Sequence, residues 1–119
     1  MQINAINLAD RVAVVTGGAQ GIGQVVGRRF LDSGAKLVVW EVVADRLAKA
    51  VEEFAAVAGA ERVHGEVVDI ADEAGVAAAV RNTAARFGRI DILVNNAALV
   101  GPNATLADYP SDAWKSVID

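Results

Sequence analysis

Thr16-Gly17-Gly18-Ala19-Gln20-Gly21-Ile22-Gly23 follows directly on the apolar run at 12–15 and leads straight into an amphipathic helical pattern. A strand, a glycine turn and a helix in that order aim main-chain N–H groups and the positive end of a helix macrodipole at one point, where a phosphate is stabilised. Each glycine has a use in such a turn. Gly17 permits a tight exit from the strand, Gly21 lets the main chain approach a pyrophosphate, and Gly23 lets the helix pack closely against the sheet. The spacing is G-x-x-x-G-x-G, because Val26 stands three places after Gly23. A purely structural turn is the alternative reading of this stretch taken alone.

Outward from this turn, short apolar runs recur at 12–15, 37–40, 63–68 and 90–94. Three are continuous rather than alternating, which suits strands buried on both faces of a parallel sheet. The third is interrupted by His64, Gly65 and Glu66 and is expected nearer an edge. Helical stripes lie between the runs: Ile22, Val25, Val26 and Phe30, then Leu47, Val51, Phe54 and Ala58, then Val76, Val80, Ala84 and Phe87. Gly34, Gly59 and Gly88 stand where these helices should stop, and Asp45 is the expected N-cap of the second. A further helix is expected near Ser111, after Pro110. The alternation reads βαβαβαβ, with right-handed crossovers covering both sheet faces.

The 119 residues carry 11 Lys+Arg against 15 Asp+Glu, one His and no Cys. That length suits one domain, 1–119, with a core that needs no staples. A formal charge of −4 leaves no basic stripe for nucleic acid. Without Cys, and with His64 alone, neither disulfides nor a Cys- or His-based metal site is expected. No apolar stretch approaches a membrane span, and residues 1–7 lack a basic start and an apolar run. The expected setting is cytoplasmic.

Glu41 ends the second apolar run, 18 residues after Gly23. An acidic side chain there accepts hydrogen bonds from a ribose diol and repels a 2′-phosphate. Gln20 in the turn is uncharged, and Arg46 is the nearby cation, so the expected cofactor is NAD rather than NADP. A solvated residue at a strand end is the alternative for Glu41.

Segment 16–23 resembles the T-G-x-x-x-G-I-G cofactor turn of the short-chain dehydrogenases/reductases. Val68-Asp69-Ile70 closes the third run like that family's Asp-Val pair, whose Asp contacts the adenine edge. Asn95-Asn96-Ala97-Ala98 is similar to its Asn-Asn-Ala-Gly motif, with Ala98 in place of glycine. Read singly, Asp69 could cap a helix and Asn95-Asn96 could make a turn. The resemblance covers the whole chain, and 3-oxoacyl-carrier-protein reductases and sugar or alcohol dehydrogenases of the family look most alike. It implies an α/β fold, a Rossmann-type doubly wound parallel sheet with strand order 3-2-1-4. It also implies that Gly17, Gln20, Gly21, Ile22, Gly23, Glu41, Asp69, Ile70, Asn95 and Ala97 hold the cofactor.

The family's chemistry rests on a Tyr-x-x-x-Lys pair. Tyr109 is followed four places on by Ala113, Lys115 lies on another helical face, and Ser111 reads as an N-cap. The expectation is therefore the NAD-binding part of an oxidoreductase acting on a hydroxyl or carbonyl, with no catalytic residue of its own. Its rivals are a stand-alone βαβ module that binds a nucleotide or a partner, and a fragment without function. The fourth strand, if nothing covers it, would be an edge open to self-association. His64 is expected to be structural. Trp40 is expected to pack in the sheet, with adenine stacking as the alternative.

Overall fold

The computed structural model describes residues 7–96. Ala97, Ala98, Tyr109 and the helix expected near Ser111 lie outside them. The chain runs β1 (Val12–Thr16), α1 (Gly21–Asp32), β2 (Lys36–Glu41), α2 (Ala44–Ala58), a short 3-10 turn at Ala60–Arg62, β3 (Val63–Val67), α3 (Glu73–Phe87) and β4 (Ile92–Asn95). All strand pairs are parallel and their order is β3-β2-β1-β4, as the resemblance implied. The chain starts at the centre, winds out to β3, then crosses to the other side of β1. The β1/β4 junction is therefore a topological switch point, the place where open α/β sheets hold ligands.

The continuous apolar runs are explained by burial on both faces. Val12, Val14, Val38 and Trp40 join Val76, Ala79 and Val80 of α3 in one cluster. Val15, Leu37 and Val39 join Leu31 of α1 and Leu47, Ala50 and Phe54 of α2 in the other. Each fully buried Val, Leu or Phe contributes about 1.5–3 kcal/mol, so the two layers supply most of the driving force. Among the described residues, no helix is long and apolar enough to cross a membrane.

Four expectations are corrected in detail. In α1 the buried line is Gly23, Gly27 and Leu31, while Ile22 and Val25 stand 74% and 70% exposed. Two glycines make this contact face, and a count of apolar side chains does not register them. A Cβ on Gly27 would lie 3.0 Å from Leu37 and 3.1 Å from Phe54, so the missing methyl lets the helix sit close. The N-cap of α2 is Val43, and Asp45 lies inside the first turn, where its charge favours the helix N-terminus without capping it. Ala84 of α3 is exposed, and Thr83 takes a place on the buried face. Finally, the fourth strand begins at Ile92, and Ile90 packs beside the α3 cluster ahead of it.

The stops hold. At Gly34 (φ 97°) the N–H donates to the Leu31 carbonyl at 3.0 Å and Ala35 N–H to Phe30 at 3.1 Å, a Schellman closure. β3 is an edge strand, as its polar interruption suggested.

Candidate functional site

The strand register brings four chain segments to one edge. Thr16 lies opposite Trp40 on one side and Asn95 on the other, and Glu41 lies opposite Val67. The carboxyl ends of all four strands therefore lie along one edge of the sheet, the edge at which open α/β sheets hold ligands.

At its centre is the glycine turn. Gly17 (φ 64°) and Gly21 (φ 59°) occupy the left-handed region. Gly17 N–H donates to the Trp40 carbonyl at 2.8 Å, which ties the turn to the end of β2. A Cβ on Gly23 would stand 2.4 Å from the Gly17 carbonyl oxygen and 2.5 Å from Asn96 Nδ2. Gly23 thus lets α1 close on the turn itself. A Cβ on Gly21 would meet nothing within 4 Å, so the turn's outer side is open. Gln20 takes the N-cap position in extended geometry and its side chain makes no cap bond. Main-chain N–H groups of the first turn of α1 are left without a side-chain acceptor, the condition under which an anion is held.

Glu41 is buried (6% exposed) at the end of β2. Its Oε2 accepts the Val43 N–H at 3.1 Å, and its carbonyl accepts the Val68 N–H at 3.1 Å. By strand alternation it shares a sheet face with Leu37 and Val39, the side on which α1 packs. Asp69 is exposed and folds an Asx turn, Oδ1 accepting the Ala71 N–H at 2.9 Å. The N-cap of α3 is Asp72, so Asp69 shapes the approach to that helix without capping it. The Ile70 side chain is buried, and Asn95 is exposed at the end of β4.

A family model, short chain dehydrogenase, matches residues 11–119. The chain belongs to the short-chain dehydrogenase family. Over its full length it is 35% identical to a 2-dehydro-3-deoxy-L-rhamnonate dehydrogenase (NAD(+)) of Sphingomonas sp. (strain SKA58), of which it covers 45%. Among solved structures it resembles L-sorbose reductase from Gluconobacter frateurii complexed with NADPH and L-sorbose. There the TM-score is 0.75 at 34% identity, over 95% of this chain and 42% of that one. It also resembles the N-domain, with NADP, of a bacterial malonyl-CoA reductase, with a TM-score of 0.72 at 39% identity over 80% of this chain and 18% of that one. The chain spans less than half the length of these relatives.

At this edge of the short-chain dehydrogenase sheet the structure adds residues to which the sequence reading gave no separate role. Thr16, fully buried, accepts the Asn96 N–H at Oγ1 (2.9 Å) and donates to the Val94 carbonyl at 3.4 Å. Asn96 Nδ2 donates to the Gly17 carbonyl at 3.3 Å. Together they clamp the end of β4 onto the glycine turn. A polar residue closing an apolar run was the available signal for Thr16. Its partner lies 80 positions away, beyond any local pattern. Val42, Val43 and Val67, 57%, 38% and 59% exposed, put apolar surface beside Glu41 at the same edge.

Trp40 lies under α3 at 1% exposure, and its indole N–H donates to Thr83 Oγ1 at 3.4 Å. It packs in the sheet, and no ring face is left for adenine. His64 Nε2 lies 2.6 Å from Glu66 Oε2, Glu66 Oε1 accepts from Asn82 at 2.8 Å, and the His64 ring stands edge-on to Phe87. That network braces β3 against α3, in keeping with a structural His64.

Proposed function

We propose that this chain forms the dinucleotide-binding part of an oxidoreductase that uses NAD to interconvert a hydroxyl and a carbonyl. The observation that carries the reading is Glu41. A buried carboxylate, with one oxygen taken by Val43 N–H, sits at the end of β2 beside a turn whose Gly21 side is open. The residues fit the cofactor. Gly17, Gln20, Gly21, Ile22 and Gly23 would hold the pyrophosphate through main-chain N–H groups, and Glu41 would accept from the adenosine ribose diol. Asp69 and Ile70 would meet the adenine edge, Ile70 through its main chain because its side chain is buried. Asn95 and Ala97 would continue the groove. Bound there, NAD supplies a two-electron hydride acceptor; the residues of this chain orient it.

Glu41 also supports NAD over NADP. A 2′-phosphate brought to about 4 Å from a carboxylate is opposed by about 4 kcal/mol at the effective dielectric of a protein surface. One relative carries NAD(+) in its name, and two structural neighbours hold NADP or NADPH. The local acidic side chain favours the former pattern. The part we propose for residues 1–119 is binding and orientation of the cofactor. We read 1–119 as belonging to one domain. Among the described residues the outer edge of β4 pairs with no strand, and we read it as the place where a further strand or a second copy joins.

Calorimetric titration of the whole protein with NAD, and separately with NADP, tests this. Saturable NAD binding, at least about tenfold tighter than NADP, is expected from the loss of about 1.4 kcal/mol or more at the 2′ position. NADP binding as tightly as NAD would contradict the role given to Glu41. Failure to bind either would contradict the reading as a whole.

A further inference from the structure

Trp40 stands at a crossing of three contacts. Its carbonyl accepts the Gly17 N–H at 2.8 Å, so it holds the first glycine of the phosphate turn. The next residue is Glu41, whose own carbonyl accepts the Val68 N–H and so reaches the third strand's exit. The side chain goes the opposite way, into the layer of Val12, Val14, Val38, Val76, Ala79 and Val80 beneath α3. There its indole N–H meets Thr83 Oγ1 at 3.4 Å, with both residues essentially excluded from solvent.

A hydroxyl on the sheet-facing side of α3 needs a physical reason. The rest of that cluster is Val, Ala and the Trp itself. A buried indole N–H without an acceptor costs on the order of the desolvation of a polar group, which disfavours any rotation of the ring away from Thr83. Strand geometry makes that restraint directional. Successive side chains point to opposite faces, so fixing the Trp40 ring toward α3 fixes the rotation of the last two residues of β2 and holds Glu41 toward the α1 side.

We infer that Thr83, which lies in the layer below the strand ends and outside the proposed site, is a positioning residue for cofactor recognition. Its hydroxyl anchors the Trp40 indole, and through the Trp40–Glu41 pair it sets both the Gly17 end of the phosphate turn and the ribose-binding carboxylate. This rests on the assignment of Glu41 to the ribose diol made above.

Thr83→Val removes the acceptor while keeping the shape, and Thr83→Ser restores it. For the whole protein, NAD and NADP affinities and melting temperature are measured for the parent and both variants. The expected result is a fall of about threefold to tenfold in the NAD-over-NADP preference for Thr83→Val, the size of one lost buried hydrogen bond, with recovery in Thr83→Ser. A lowered melting temperature in Thr83→Val with the preference unchanged would overturn the inference and leave the Glu41 reading standing. A parent protein with no preference for NAD would overturn both, and that outcome is distinguished by the parent alone. Loss of preference in Thr83→Ser equal to that in Thr83→Val would also overturn it, because packing and not the hydroxyl would then be responsible.

Discussion

The two ends of the sheet are built on opposite principles. At the amino edge the backbone is tied down. Val12 N–H donates to Asp91 Oδ2 at 2.9 Å and Asp91 N–H returns a bond to the Val12 carbonyl at 2.9 Å. Arg89 bonds Asp91 Oδ1 at 2.6 Å, with Arg11 at 3.6 Å. Nearby, one Arg62 nitrogen donates to the Leu31 and Ala35 carbonyls, both at 2.8 Å, and covers the end of α1. At the carboxyl edge the turn carries positive-φ glycines, the α1 N-terminus has no side-chain cap, and Gly21 faces open space. One edge pairs its polar groups with one another; at the other, the main-chain N–H groups of the first turn of α1 have no side-chain acceptor. On the proposed reading, stability and recognition are separated by the length of the five-residue β1.

The largest expected effect falls at the tightest point of the open edge. Gly23→Ala places a methyl against the Gly17 carbonyl and Asn96 Nδ2, and neither can move without opening the β4 clamp. A calorimetric titration should show NAD affinity reduced by about thirtyfold or more, in line with an overpacking cost of roughly 2 kcal/mol. Affinity within threefold of the parent would mean that the clamp is softer than its geometry. Glu41→Gln should follow, with NAD binding weakened about tenfold, the strength of a charge-assisted bond to the ribose, and with the preference over NADP reduced. Equal loss for both cofactors would show that Glu41 supports the fold and does not read the 2′ position.

Gly21→Ala separates conformation from space. Its Cβ meets no protein atom, so the cost to folding is the left-handed φ of 59°, about 1 kcal/mol in denaturant unfolding. A loss of NAD affinity larger than that cost would place the cofactor on the open side of the turn.

Asp91 offers the smallest effect on cofactor binding and the contrast at the closed edge. Burial opposes its ionisation, but the Arg89 hydrogen bond, the Val12 N–H and the Arg89 and Arg11 charges outweigh it and hold the pKa below the ordinary 3.8. The sign follows from linkage. The stability Asp91 lends is complete above pH 3.8 and drains as pH falls through its lower native value. Asp91→Asn should lower stability by about 1 kcal/mol at neutral pH, flatten the acid limb of the stability curve and leave NAD binding unchanged. A shift in cofactor affinity would break the separation between the two edges.

Most of the architecture was legible in the sequence because burial on both faces writes itself as continuous Val- and Leu-rich runs between glycine stops. That Glu41 closes β2, and that Gly21 lies in a tight turn ahead of α1, was legible from the end of the apolar run and the turn's glycine spacing. The contact face of α1 was not, since Gly23 and Gly27 act by lacking side chains and a hydrophobic pattern counts only those present. The clamp of Thr16 and Asn96 was hidden for another reason: its two halves meet only after the chain has wound through three strands. The Val43 N–H that orients Glu41 belongs to the backbone, and no residue type announces it.

The separation of the two edges is tested most directly by amide chemical-shift mapping of the whole protein as NAD is added. The largest changes are expected at Gly17, Gln20–Gly23, Glu41–Val43, Asp69, Ile70, Asn95 and Asn96, with Val12, Arg62 and Asp91 unmoved. Saturable changes centred on Val12 and Asp91, or confined to the outer faces of α1 and α2 while Glu41 stays silent, would contradict it.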